Sequence, residues 1–97
     1  MNFMNQPVEA YPFVSVVMPV RNEAKTIAES VNSVLCQTYP LSRLEIIVAD
    51  GLSDDNTRKI IEQLPEASRI KLLINHKRLQ SAGMNRCIED ARGEIIV

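Results

Sequence analysis

Two rhythms of apolar and polar positions alternate along the chain. "FVSVVMP" (13–19), "LEIIVAD" (44–50) and "IKLLIN" (70–75) are short, nearly unbroken apolar runs, and "EIIV" (94–97) begins a fourth. Between them the apolar residues recur at helical spacing: Ile27, Val31, Val34 and Leu35; then Ile60, Ile61 and Leu64; then Met84, Cys87, Ile88 and Ala91. Continuous apolar runs predict strands buried on both faces, and the spaced sets predict amphipathic helices. Pro19, with no N–H to give a ladder, is expected to stop the first strand. Asn22 is the expected cap of the first helix with Glu23 in its first turn, and Ser53 or Asp55 the cap of the second. "TYP" (38–40) and Gly93 end the first and third helices. Residues 1–12 read as a loose tail before a single unit spanning 13–97.

The order β-α-β-α-β-α-β predicts an α/β fold: a parallel sheet between two helical layers, wound in the Rossmann-like manner by right-handed crossovers. With 97 residues there is room for one small domain, and 45% apolar against 24% charged residues is a globular composition. Eleven basic residues against twelve acidic ones leave no basic stripe, which sets nucleic-acid binding aside. Cys36 and Cys87 form no C-x-x-C pair, and both are expected as small buried hydrophobes in a reducing compartment. The first ten residues lack a secretory signal and no apolar run approaches the roughly 20 residues that span a bilayer. No membrane segment and a cytoplasmic location are therefore expected.

In open α/β sheets ligands bind beyond the carboxyl ends of the strands, where strand order reverses. The loops leaving those ends are "PVRNE", "DGLSDD" and "NHKRLQS", which together hold most of the unusual polar residues. Three glycines in the whole chain leave no dinucleotide fingerprint and no P-loop. Zinc motifs are absent as well. A diphosphate would therefore have to be met by a metal on carboxylates or by Lys77 and Arg78.

Asp50, fixed at a strand end, is suited to accept the N–H of a uracil base; it is too early in the chain to cap the second helix conveniently. Asp54 and Asp55 are better read as acids serving that helix. Arg21 projects from the first strand end toward the cleft. Glu23 is equally a first-turn helix acid or a site residue, and Lys77 and Arg78 taken alone are solvated charges. His76 reads as a surface residue, Tyr39-Pro40 as turn punctuation.

Together "VSVVMPVRNE", "SVNSVLCQTYP", "LEIIVADGLSDDNT" and "MNRCIEDARGEIIV" resemble the start of an inverting family-2 glycosyltransferase of the GT-A fold, over residues 13–97. "MPVRNE" with "VADGLSDDNTR" is similar to the subgroup that builds bacterial exopolysaccharides such as succinoglycan. The resemblance implies the N-terminal half of a GT-A domain, with Pro19, Val20, Arg21, Asn22 and Glu23 lining a nucleotide pocket. Arg21 stands where the family commonly has a tyrosine near the base. The family often carries two adjacent acids after its second strand, whereas here Asp50 is followed by Gly51. Arg78 matches a position facing the phosphates or sugar.

A metal-binding D-x-D motif for Mg²⁺ or Mn²⁺ is expected to follow Val97, so the resemblance implies no catalytic residue and no bound metal within these residues. It further implies a nucleotide-sugar donor, UDP-linked in the first instance, a glycan acceptor, and work at the cytoplasmic face of the membrane. The chain alone is expected to be inactive and, with "EIIV" as an open edge, to form homo-oligomers. The competing expectation is a self-contained small α/β binding or regulatory module.

Overall fold

A computed structural model describes residues 7–97. Its elements are β1 (Val14–Val20), α1 (Ile27–Leu35), β2 (Leu44–Asp50), α2 (Thr57–Gln63), β3 (Ile70–Ile74), α3 (Gln80–Asp90) and β4 (Ile95–Ile96), with 3-10 turns at Val8–Ala10, Leu41–Arg43 and Ala67–Arg69. The four strands form one parallel sheet in the order β3-β2-β1-β4.

Because successive side chains of a strand point to opposite faces, the apolar runs supply two cores at once. On one face Val20, Ile46 and Val48 pack with Ile27 and Val31 of α1 and Ile61 of α2. On the other, Val17, Ile47 and Ala49 pack with Cys87 of α3, and Met84 and Ala91 close over them. The expected three-layer α/β/α architecture is thus present. Ile46 and Ile47 are sealed from solvent on opposite faces of β2. Each such side chain contributes roughly 1.5–3 kcal/mol by leaving water.

The strand order reverses at β1: β2 and β3 extend to one side, and the chain then crosses α3 to place β4 on the other. Pro19 lies inside β1 instead of ending it, paired in register with Ala49. Backbone groups of Ser15 and Val17 bond Val97 on the β4 side. Pro19 has the same parity, so its missing N–H points toward that side, past the last β4 pairing, and no ladder bond is lost. Gly83 sets how closely α3 approaches: a Cβ there would stand 2.9 Å from Pro19 Cβ and 3.1 Å from Asn75 Nδ2.

At the amino ends of the strands a buried polar cluster ties β1, β2 and the entry to β4. Ser15 Oγ donates to Glu45 (2.5 Å) and accepts from Gly93 N (2.8 Å), while Arg92 N donates to the same carboxylate (2.7 Å). Burial pushes the Glu45 carboxyl up, but the Ser15 hydroxyl, the Arg92 N–H and the charges of Arg92 and Lys71 outweigh it and hold it below its ordinary value.

Several expectations need correction. Residues 1–6 of the expected tail lie outside the described residues, 7–10 are exposed, and Tyr11 and Pro12 are tied to the fold. Tyr11 is buried edge-to-face against Tyr39, Arg43 Nε donates to its carbonyl (2.9 Å), and the Tyr39 hydroxyl donates to Pro12 O. Tyr39 is therefore a packing residue as well as turn punctuation. α1 begins at Ile27, after a turn in which Glu23 O accepts from Thr26 N and Ile27 N, so Asn22 does not cap it. α2 begins at Thr57 beyond Asn56, leaving Ser53 outside the helix end. Ile88 is exposed, because α3 turns only the stripe centred on Cys87 toward the sheet. Cys36, at the end of α1, is exposed too. Cys87 matches its expectation, and burial pushes its thiol up, away from thiolate chemistry.

Candidate functional site

Val20, Asp50 and Ile74 are register partners, so β1, β2 and β3 all end at one level. The ladder continues one step further through Gly51 N to Val20 O and Asn75 N to Asp50 O, both 2.8 Å. Three loops consequently leave the sheet side by side at the reversal of strand order.

The first two loops are stitched together by two relays of the same design. Ser53 Oγ donates to Asp50 Oδ1 (2.5 Å) and accepts from Asn22 N (2.9 Å). Thr57 Oγ1 donates to Asp55 Oδ1 (2.5 Å) and accepts from Glu23 N (2.8 Å). Asp55 also accepts from Ala24 N (3.1 Å) and Thr57 N (3.0 Å), and Asn22 Oδ1 accepts from Asp54 N (2.7 Å). The Thr57 hydroxyl, ahead of the backbone N–H groups, holds the Asp55 carboxyl below its ordinary value. Arg21 completes the seam: Nη1 donates to Gly51 O (2.7 Å) and Leu52 O (2.8 Å), and Nη2 reaches Asp54 (3.3 Å).

"SDDNT" therefore serves the loop after β1 as much as its own helix. The expectation that Asp54 and Asp55 merely serve the second helix was too narrow.

Asp50 is the main correction. Its side chain has 0% exposure and faces α2, where Arg58 Nη2 lies 3.0 Å from Oδ2. With Ser53 N on the same oxygen at 3.2 Å and Ser53 Oγ on the other, both carboxylate oxygens are engaged. A buried charge is stable only when paired in this way. The strand tips of Arg21 and Asp50 are neighbours, but the carboxylate does not open onto the cleft.

That cleft, about 210 Å³, is lined by Pro19, Val20, Arg21, Glu23, Asn75, Arg78 and Gln80. Of the expected site residues, Pro19, Val20, Arg21, Glu23 and Arg78 come together here. Asn22 and Asp50 build the wall behind. Gly51 is buried beneath, where a Cβ would meet Arg78 O at 3.2 Å, Arg78 Cα at 3.3 Å and Val20 O at 3.4 Å. The absence of a side chain lets the second and third loops touch.

Sequence reasoning missed Asn75, Gln80 and Arg58. Asn75 carried the same signal as Asp50, a polar residue closing an apolar run. Gln80 opens α3, whose N-cap residue Leu79 makes no side-chain cap bond, so the positive end of that helix abuts the cleft. His76 is exposed, as expected.

A divalent cation does not fit what is present: among the described residues no three His, Cys, Asp or Glu side chains converge on one point. No described helix is long and apolar enough to cross a membrane.

Comparison with known proteins places this geometry. Residues 15–97 match the family model described as Glycosyl transferase family 2. Glycosyltransferase AglE of Haloferax volcanii is 41% identical over 87 residues, which are 88% of this chain and 29% of that protein. The succinoglycan biosynthesis protein ExoA of Rhizobium meliloti is 37% identical over 76 residues, 77% of this chain and 23% of that protein. The solved mannosyltransferase PcManGT of Pyrobaculum calidifontis, in complex with GDP-Man and Mn²⁺, superposes with a TM-score of 0.77 at 29% identity. That match covers 96% of this chain and 30% of the other. The chain thus spans under a third of the length of these relatives.

Proposed function

This chain belongs to glycosyltransferase family 2, has the fold of the N-terminal half of a GT-A domain, and from that premise we propose that it forms the nucleotide-binding part of a transferase. The reaction is transfer of a sugar from a nucleoside-diphosphate sugar, a UDP-sugar in the first instance, to a hydroxyl of a glycan, with inversion. The observation that carries this reading is the cleft at the reversal of strand order, walled by Pro19, Val20 and Arg21 on one side and by Asn75, Arg78 and Gln80 on the other.

Arg21 has its edge donors engaged by the second loop, which fixes the guanidinium plane beside the cleft and suits its face to a base. Arg78 and the amino end of α3 bring positive potential to a diphosphate. Asp50, Gly51 and Asn22 belong to the same site as its rigid backing, which spares the ligand the cost of ordering loops. A cleft of about 210 Å³ is smaller than a pocket that encloses a whole ligand, and it suits part of a nucleotide sugar.

The described residues offer neither an uncommitted buried carboxylate to deprotonate an acceptor hydroxyl nor a set of acids to hold Mg²⁺ or Mn²⁺. We place both functions elsewhere in the parent enzyme, with the metal-binding acids directly after Val97, and assign it to the cytoplasm at the membrane face. The 97-residue chain is then a weak nucleotide binder without transferase activity.

Titration of the isotope-labelled chain with uridine, UDP and GDP, followed by amide NMR, tests this. Shifts confined to Val20, Arg21, Asn75, Arg78 and Gln80 at millimolar UDP, weaker with GDP, are expected. UDP shifts located away from these residues, or sugar transfer by the chain alone, would overturn the assignment.

A further inference from the structure

Asn75 has no role in the site as expected from sequence, yet it is the most connected residue of the third loop. Only 6% of it is exposed, and four hydrogen bonds pass through it. Its N donates to Asp50 O at 2.8 Å, which docks the loop on β2. Its side chain then spans the turn: Oδ1 accepts from Lys77 N (3.1 Å) and Nδ2 donates to Leu79 O (2.9 Å). Its own carbonyl accepts from Arg78 N at 3.3 Å.

Within that frame Arg78 is held at φ 65°, in the left-handed region. That conformation is disfavoured for a non-glycine residue and persists only where the surroundings impose it. The bonds on both sides of Arg78, at Lys77 N and at Leu79 O, come from one amide side chain. Gly83 lies against that amide, where a Cβ would come within 3.1 Å of Nδ2.

We propose that Asn75 is a positioning residue: it holds the 75–79 turn in the strained form that presents the Arg78 guanidinium at the mouth of the cleft, toward the donor diphosphate. This rests on the nucleotide-cleft reading above. Asn75 contacts phosphate only through what it does to Arg78. Its removal should cost more affinity for the charged part of the donor than for the nucleoside.

The test is a double-mutant cycle on the full chain with N75A, R78A and N75A/R78A, titrated with UDP and with uridine. N75A is expected to weaken UDP roughly fivefold, as loss of one partly exposed charge-assisted contact does. Uridine binding should weaken distinctly less than UDP binding, R78A should match N75A, and the double variant should lose no more than either single one. Additive losses, or equal losses for uridine and UDP, would overturn the positioning role while leaving the cleft assignment intact. Failure of wild type to bind UDP at the cleft would instead remove the nucleotide reading itself. Should N75A fail to fold, hydrogen exchange of the wild-type chain decides. The Lys77 amide must be protected well beyond that of His76, and exchange at the rate of an open loop would refute the frame.

Discussion

The buried Asp50–Arg58 pair is where two accounts of the site diverge most sharply. If Asp50 were a ligand for a base, D50N would spare the fold and weaken nucleotide binding. The structure instead makes it a buried anchor, with Arg58 Nη2 3.0 Å away and the hydroxyl and N–H of Ser53 on the remaining lone pairs. Two unit charges at that separation attract by about 5 kcal/mol at an effective dielectric near 20. Arg58 is 39% exposed, so solvent screening and the cost of dehydrating Asp50 remove most of this. A net coupling of about 1–2 kcal/mol remains. Urea unfolding of wild type, D50N, R58M and D50N/R58M, followed by circular dichroism, measures it directly. Each single variant should lose about 2 kcal/mol, the double variant distinctly less than the sum. Additivity to within about 0.3 kcal/mol, with both single variants near wild type in stability, would refute the anchor and return Asp50 to the ligand.

The remaining tests address other parts of the molecule. A methyl group at Gly93 would stand 2.5 Å from Ser15 N and 2.6 Å from its hydroxyl, so G93A should push the entry to β4 off β1. A loss of about 2 kcal/mol, seen as a Tm lower by roughly 10 °C in calorimetry, is expected. The folded Glu45 carboxyl titrates below its ordinary value of 4.5, so the unfolded chain binds more protons in that interval. Its contribution is complete above 4.5 and disappears as pH falls through the lower folded value; E45Q should therefore flatten the acid limb of a stability-versus-pH curve. Ile95, Ile96 and Val97 are exposed, and β4 has no strand on its outer edge among the described residues, so the chain should self-associate. Light scattering across concentration should show growth that I96K suppresses, and a monomer at every concentration would refute it.

Element type was legible wherever the pattern alone decides it. "LEIIVAD" gave β2 to the residue because an apolar run bounded by polar residues can be buried only as an inner strand. Helix starts were less legible. α1 begins four residues after Glu23 because the Glu23–Thr26 turn is held by Thr57 and Asp55, some 30 residues away, and no local cap signal encodes that. The same distance hid the partners of the acids. Arg21 lines the cleft, but that its edge donors face Gly51 and Leu52 follows from the pairing of β1 with β2. Asp50 was misjudged because a strand-end carboxylate can point to either face. Parity settles the question: residues 46, 48 and 50 share the α2 side, while the cleft lies with Pro19 and Asn75 on the side of α3.

The three loops share one further feature. Among the described residues the non-glycine positions with positive φ are Asn22, Leu52 and Arg78, one in each loop beyond the sheet. A phosphate cradle built on glycine gains such turns without strain but leaves them loose. Here each turn is strained and each is braced by side chain to backbone bonds: Asn22 by Ser53 and Asp54, Leu52 by Arg21, Arg78 by Asn75. The strain, about 1 kcal/mol per residue, is offset by those bonds only while the strands hold their register, because the braces run between loops or across a turn docked on β2. The fold and the site are therefore coupled through backbone geometry. Asp50, Asp54 and Asp55 act on the cleft by fixing its rim, and Arg78 and the first residue of α3, Gln80, line its other wall.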